Sequence, residues 1–224
     1  VADNDIDGMR SALSWGIRLM LMLSVPATLG LMVLSGPIVE LIYERKAFDA
    51  DSTLLAAAAL LFYAPGIIGY SVVKIASPCF YAMRDARTPI TVSLITIAVN
   101  LVLNLVLNAW MGFTGLALGT AIAANVNALL LLVLLSRRIG GVDARRILQA
   151  SGKILLASAV MAAAAWGLEA WLSQVWPGTG LGLRTVRVGV SIAASIGVLA
   201  LSAWAFRIEE FSMAVARVRG KLGR

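Results

Sequence analysis

The chain has 224 residues, of which 60% are hydrophobic and 14% charged, with a formal net charge of +7, no histidine and one cysteine. That much apolar surface does not fit inside one soluble core of this length, so the expected fold is an all-α, polytopic integral membrane helix bundle. The absence of histidine removes the commonest general base and metal ligand, which weighs against an intramembrane hydrolase or a zinc enzyme, and the lone Cys79 excludes an internal disulfide.

The first residues, VADNDID, carry neither an initiator Met, a basic region nor a cleavage site, so the chain reads as a piece of a longer polytopic protein. Crossing roughly 30 Å of hydrocarbon takes about 20 helical residues, and six apolar stretches meet that length. They are Leu13 to Leu34, Leu54 to Tyr81, Ile90 to Trp110, Leu116 to Leu135, Ile154 to Trp171 and Val186 to Phe206. Pro26, Pro65 and Pro78 fall within the first two spans, where proline removes a helical hydrogen bond; Pro65 and Pro78 are the expected hinges. Between the first two spans, GPIVELIYERKAF suits a short interfacial helix, and Ser52 offers an N-cap for the second. Gly115 with Gly119, and Gly189 and Ala193 with Gly197, are expected to let helices approach closely.

Charge fixes an orientation. If the first span runs outward, Arg10, Arg84, Arg87, Arg137, Arg138, Arg145, Arg146, Lys153, Arg207 and the tail RVRGKLGR fall on the cytoplasmic side. Only Arg45, Lys46, Arg184 and Arg187 fall outside, so both ends of the chain are expected in the cytoplasm. Residues 138–153 read as a cytoplasmic basic loop, and 207–224 as a basic tail that touches anionic membrane lipids rather than nucleic acid. Trp110, Trp166, Trp171 and Trp176 cluster where the outer interface should lie.

Lipid makes the remaining polar residues expensive. Lys74 lies ten residues before Arg84, about 15 Å into its helix, where an unpaired charge costs about 2.5–3.5 kcal/mol, so it is expected to face a wet cavity. Arg18 sits shallower, where anchoring at the interface and anion binding are equally reasonable roles. Ser93, Thr96, Asn100, Asn104 and Asn108 recur at steps of three and four on one face of the third span, and Asn104 matches Thr120 of the next span in depth. Interhelical hydrogen bonds explain this stripe, and oxygen ligation of a hard cation such as sodium is the alternative.

VVKIASPCFYAMRDARTPITV, followed by NLVLN and GLALGTAIA, resembles the C-terminal half of the MurJ/MviN family of lipid II flippases, within the multidrug, oligosaccharide-lipid and polysaccharide exporter superfamily. The resemblance rests on the pattern Lys74, Pro78, Tyr81, Asp85 and Thr88-Pro89, and is weak in the last two spans. It implies a transporter of two six-helix lobes around a cationic cavity, followed by two helices that form a groove for a polyprenyl tail. Residues 1–137 would then be the last four helices of the second lobe and 154–206 the two extra helices. The resemblance also implies Lys74, with Arg18 as a second candidate, as cations for the lipid II pyrophosphate. Asn100, Asn104, the Leu116 carbonyl and Thr120 would correspond to a sodium site, with Asn104 standing where some members carry Asp. No cofactor other than that possible sodium ion is implied. The partners would be lipid II, the missing N-terminal half and membrane lipids, and the location the bacterial inner membrane. A drug or polysaccharide exporter of the same superfamily and a non-transporting membrane scaffold are the rival readings.

Overall fold

The computed structural model of the chain describes residues 6–43, 50–178 and 180–213, and among them every regular element is helical. In chain order these are α1 (Ile6–Val33), α2 (Ser35–Tyr43), α3 (Ala50–Tyr63), α4 (Gly66–Ala82), α5 (Arg87–Met111), α6 (Phe113–Arg138), α7 (Ala144–Val175) and α8 (Leu181–Ala205). Six segments are long and apolar enough to cross a membrane, as the hydropathy pattern predicts, with α3 and α4 together making the second. The protein is a multi-pass membrane protein.

Three expectations need correction. The second span is not one helix: α3 stops at Tyr63 and α4 restarts at Gly66, with Pro65 as the residue preceding the new helix. Proline has no N–H to continue the ladder, so Pro65 interrupts the span rather than bending it. Pro78, in contrast, lies inside an unbroken α4. Of residues 138–153, only 139–143 form a loop, because α6 runs to Arg138 and α7 already begins at Ala144 and runs for 32 residues. Ser52 lies within α3, which starts at Ala50, and does not precede it. Arg45, Lys46 and the tail RVRGKLGR lie outside the described residues.

The chain divides into two compact units. One comprises the residues up to Ser24 together with Pro65–Gly152. Its core is built from Leu13 and Ile17 of α1, Ala76 and Phe80 of α4, Val92 of α5 and Leu131 and Leu135 of α6. Glycine sets the spacing of its helices. A Cβ added at Gly69 would come within 2.5 Å of the Ala124 backbone, and one at Gly115 would collide with the carbonyl of Leu107. The α4–α6 and α5–α6 pairs therefore pack backbone against backbone, as small residues permit in lipid. Gly112 alone joins α5 to α6, and its φ of 62° is one that side-chain-bearing residues avoid.

At the Arg84 end of this unit, the sequence Asp-x-x-Thr starts α5. Asp85 Oδ1 accepts from the Thr88 amide at 3.1 Å, Oδ2 accepts from the Thr88 hydroxyl at 2.6 Å, and Arg138 Nη1 pairs with Oδ2 at 2.7 Å. The Thr88 hydroxyl and amide, with Arg138 contributing less, hold the Asp85 carboxyl below the usual carboxylate range. Arg10 donates to the Ile139 and Gly140 carbonyls at 2.6 and 3.1 Å, a cation on the carbonyls that follow α6.

The second unit comprises Val25–Ala64 and Lys153 onward. Here α2 packs against α3 and α8. One stripe of α7, Ile154, Ala157, Met161, Ala165 and Leu172, is buried, and Met161 Cε lies against Gly30 of α1. Among the described residues the glycines expected to pack α8 closely meet no neighbour: Gly189 and Gly197 face open space.

Candidate functional site

Lys74 occupies the middle of α4, eight residues before its end at Ala82. The buried face of that helix is Val72, Ala76 and Phe80, which follows a helical step of four and turns Lys74 to the opposite side. Lys74 is exposed, together with Tyr70, Pro78 and Tyr81, so one cation and two phenols share an open face. Among the described residues Lys74 makes no hydrogen bond or ion pair. Pro78, four residues on, has no N–H for the Lys74 carbonyl, so the same turn of helix presents an ammonium and a carbonyl released from the ladder. Arg18 is half-buried in α1. It lies two residues beyond Gly16, whose added Cβ would meet Ile75 at 3.2 Å; α1 and α4 therefore cross beside Lys74.

The four residues read as an oxygen cluster do come together. Asn104 Nδ2 donates to Asn100 Oδ1 at 3.2 Å, Asn100 Nδ2 donates to Thr120 Oγ1 at 3.4 Å, and Thr120 Oγ1 donates to the Leu116 carbonyl at 2.9 Å. Asn104 Oδ1 is buried without a hydrogen-bond partner and lies against Gly119, where an added Cβ would clash with it. The rest of the stripe does not take part: Thr96 donates to its own helix at Val92, and Ser93 and Asn108 are exposed. Among the described residues no group of three or more His, Cys, Asp or Glu side chains converges. The oxygens of this chain, two amide, one hydroxyl and one carbonyl, are of the kind a hard monovalent cation takes.

The carbonyls at the helix break are also capped. Thr28 Oγ1 donates to the Ala64 carbonyl at 3.3 Å within one unit, and Asn125 Nδ2 donates to the Pro65 carbonyl at 3.0 Å within the other.

The sequence reading missed one polar group. Glu169 of α7 accepts from Arg187 Nη2 at 2.6 Å through Oε1 and from Ser191 Oγ at 2.9 Å through Oε2. Arg187, expected on the outer side of the membrane, lies inside α8, two turns from its start. The signal was present: Glu169 lies six residues before the end of α7 and Arg187 six after the start of α8, equal depths on antiparallel neighbours.

Comparison with known proteins matches residues 1–187 to the family described as lipid II flippase MurJ. A probable lipid II flippase MurJ of Vibrio cholerae is 30% identical over 206 residues, covering 89% of this chain and 38% of the relative. One from Rickettsia prowazekii is 40% identical over 124 residues, covering 55% and 24%. Among solved structures, lipid II flippase MurJ in an inward closed conformation superposes with a TM-score of 0.68 at 22% identity, over 90% of this chain and 41% of that one. That likeness concerns the fold. The chain thus spans well under half the length of the relatives it matches. With the family match covering most of its residues and the six-span fold agreeing, the chain belongs to the lipid II flippase MurJ family.

Proposed function

We propose that this chain is the C-terminal part of a flippase that carries undecaprenyl-pyrophosphate-linked peptidoglycan precursor across the bacterial inner membrane by alternating access, a transport step with no covalent chemistry. The observation that carries the reading is Lys74: a cation at the middle of a membrane helix, exposed beside Tyr70 and Tyr81 and joined to no acid among the described residues. A charge left so costs about 2.5–3.5 kcal/mol in hydrocarbon, a cost that disappears if the exposed face borders a wet cavity. There the ammonium attracts a pyrophosphate away from bulk water, where Coulomb attraction is strong. Arg18, on the helix that crosses at Ile75, is a second cation for the same headgroup. The N-terminal part of the transporter supplies the facing wall, and α7 and α8 supply a groove for the tail. Both ends of the chain are cytoplasmic in this reading, by the positive-inside distribution.

Sodium fits as a coupling ion. Asn100 Oδ1, Asn104 Oδ1, the Leu116 carbonyl and Thr120 Oγ1 would hold it, and it would give the buried Asn104 oxygen the partner that it has not found in hydrogen bonding. Asn104 gives the site no formal charge, so these neutral donors bind more weakly than a carboxylate would.

Complementation of a strain lacking its lipid II flippase tests the substrate role. The full-length parent with Lys74→Arg should restore growth, and Lys74→Ala should lower flipping at least ten-fold at equal expression. Growth with alanine equal to that with lysine removes the pyrophosphate role and favours a drug or polysaccharide exporter.

A further inference from the structure

Lys74 sits within a longer polar stripe. Tyr70, Lys74, Ser77 and Tyr81 recur on α4 at steps of four, three and four, which places them along one face of the helix. Tyr70 and Tyr81 are 51% and 54% exposed, and Ser77 is half-buried. Tyr81 stands next to the end of α4 at Ala82, at a depth where phenols suit the membrane interface. Tyr70 does not, since it lies twelve residues before that end, about 18 Å into a hydrocarbon layer roughly 30 Å thick. Its hydroxyl nonetheless makes no hydrogen bond among the described residues, and neither does that of Ser77. Thr96, Thr120 and Ser158, in other spans, each donate to the carbonyl four residues back, the usual way for a membrane helix to satisfy a hydroxyl.

The groups left open on this stripe differ in what they ask of a ligand. The Lys74 ammonium only donates, the Tyr70 and Ser77 hydroxyls donate and accept, and the Lys74 carbonyl released by Pro78 only accepts. A pyrophosphate offers acceptor oxygens alone and has nothing for that carbonyl. Satisfying the whole stripe takes a ligand that carries O–H or N–H donors beside its anion, and an apolar surface for the Tyr70 ring. A sugar joined to the pyrophosphate has both: hydroxyls that donate and accept, and a face of C–H groups that lies flat against an aromatic ring. Tyr70 and Ser77 stand about 6 Å and 4.5 Å from Lys74 along the helix axis, within reach of a sugar attached to a phosphate held there. We propose that Tyr70 and Ser77 bind the saccharide next to the pyrophosphate, Tyr70 by stacking on its ring and both by hydrogen bonds, so that this face of α4 reads the sugar as well as the charge of the headgroup. This rests on the flippase reading above.

The test measures binding to the full-length parent in nanodiscs with two probes: undecaprenyl pyrophosphate, and the same lipid carrying the precursor's saccharide without its peptide. Tyr70→Leu should weaken binding of the saccharide lipid about ten-fold and of the bare pyrophosphate lipid by less than two-fold. Tyr70→Phe, which keeps the ring, and Ser77→Ala should each weaken the saccharide lipid alone by about three-fold, as loss of one hydrogen bond does. Both changes remove a group without a partner among the described residues, so the thermal midpoint should hold. Lys74→Ala should weaken both lipids. Equal losses for the two lipids in the Tyr70 and Ser77 variants, or no loss, overturn the saccharide site. So does a lowered thermal midpoint in Tyr70→Phe, which would mean that the N-terminal part of the transporter covers this face. A parent that binds neither lipid defeats the flippase reading and the saccharide site with it; one that binds both, without the selective loss, defeats the saccharide site alone.

Discussion

Lys74 and Glu169 are both ionisable side chains in membrane-spanning helices, and the protein treats them in opposite ways. Glu169 is buried, with an arginine on one oxygen and a serine on the other. Lys74 stands on an exposed helix face with no acid joined to it among the described residues. A charge in hydrocarbon is expensive in either case. The buried acid has its cost offset within the chain, which marks it as part of the architecture. The exposed lysine leaves its cost to be offset from outside, which marks it as a site for something else to meet.

The sharpest way to break that contrast is to neutralise each residue and measure stability. Removing one partner of a buried pair leaves the other charged and desolvated, so Glu169→Leu should destabilise by about 3–5 kcal/mol. The double change Glu169→Leu with Arg187→Met should recover most of it, because the stranded charge is gone. Lys74→Met should leave the thermal midpoint of the purified parent unchanged or higher while transport falls. If Lys74→Met destabilises as much as Glu169→Leu, the lysine is structural and the contrast collapses.

A smaller effect separates Asp85 from both. It belongs to the pattern that carries the family resemblance, yet its contacts are those of a helix start and an ion pair with Arg138. Its folded-state pKa is lowered from 3.8. The carboxylate therefore favours the fold above about pH 4, and that contribution is lost as pH falls through the lowered folded-state value. Thermal unfolding followed from pH 6 downward should show the stability gap between the wild type and Asp85→Asn closing below about pH 4. A gap independent of pH would mean that the carboxylate charge does not contribute.

How much of this was legible in the sequence follows from what constrains each residue. Lipid demands a minimum apolar length, so all six spans could be read from hydropathy. The Asn100–Asn104–Thr120 cluster was legible because depth along two antiparallel helices is simple arithmetic from the Gly112 turn. The start of α7 was not, since no such length rule governs Ala144 to Lys153, where charged residues suit a helix and a loop equally well. Pro65 announced an interruption, but only the structure distinguishes the break there from the continuous helix at Pro78. The Arg187 ion pair was missed because a basic residue near a span end reads as punctuation until its partner is known, and the partner lies on another helix. The open face of Gly189 and Gly197 could not be read either, since small residues at steps of four look the same whether or not a neighbour arrives.

The central claim is that the Lys74 face meets the precursor headgroup. A photoreactive amino acid at position 74 of the full-length parent, in membranes supplied with radiolabelled lipid-linked precursor, tests this directly, with position 76, occupied by the buried Ala76, as control. The account predicts a labelled adduct at 74, competed by unlabelled pyrophosphate-linked lipid, and none at 76. No adduct at 74 in a protein that still flips the precursor would contradict it.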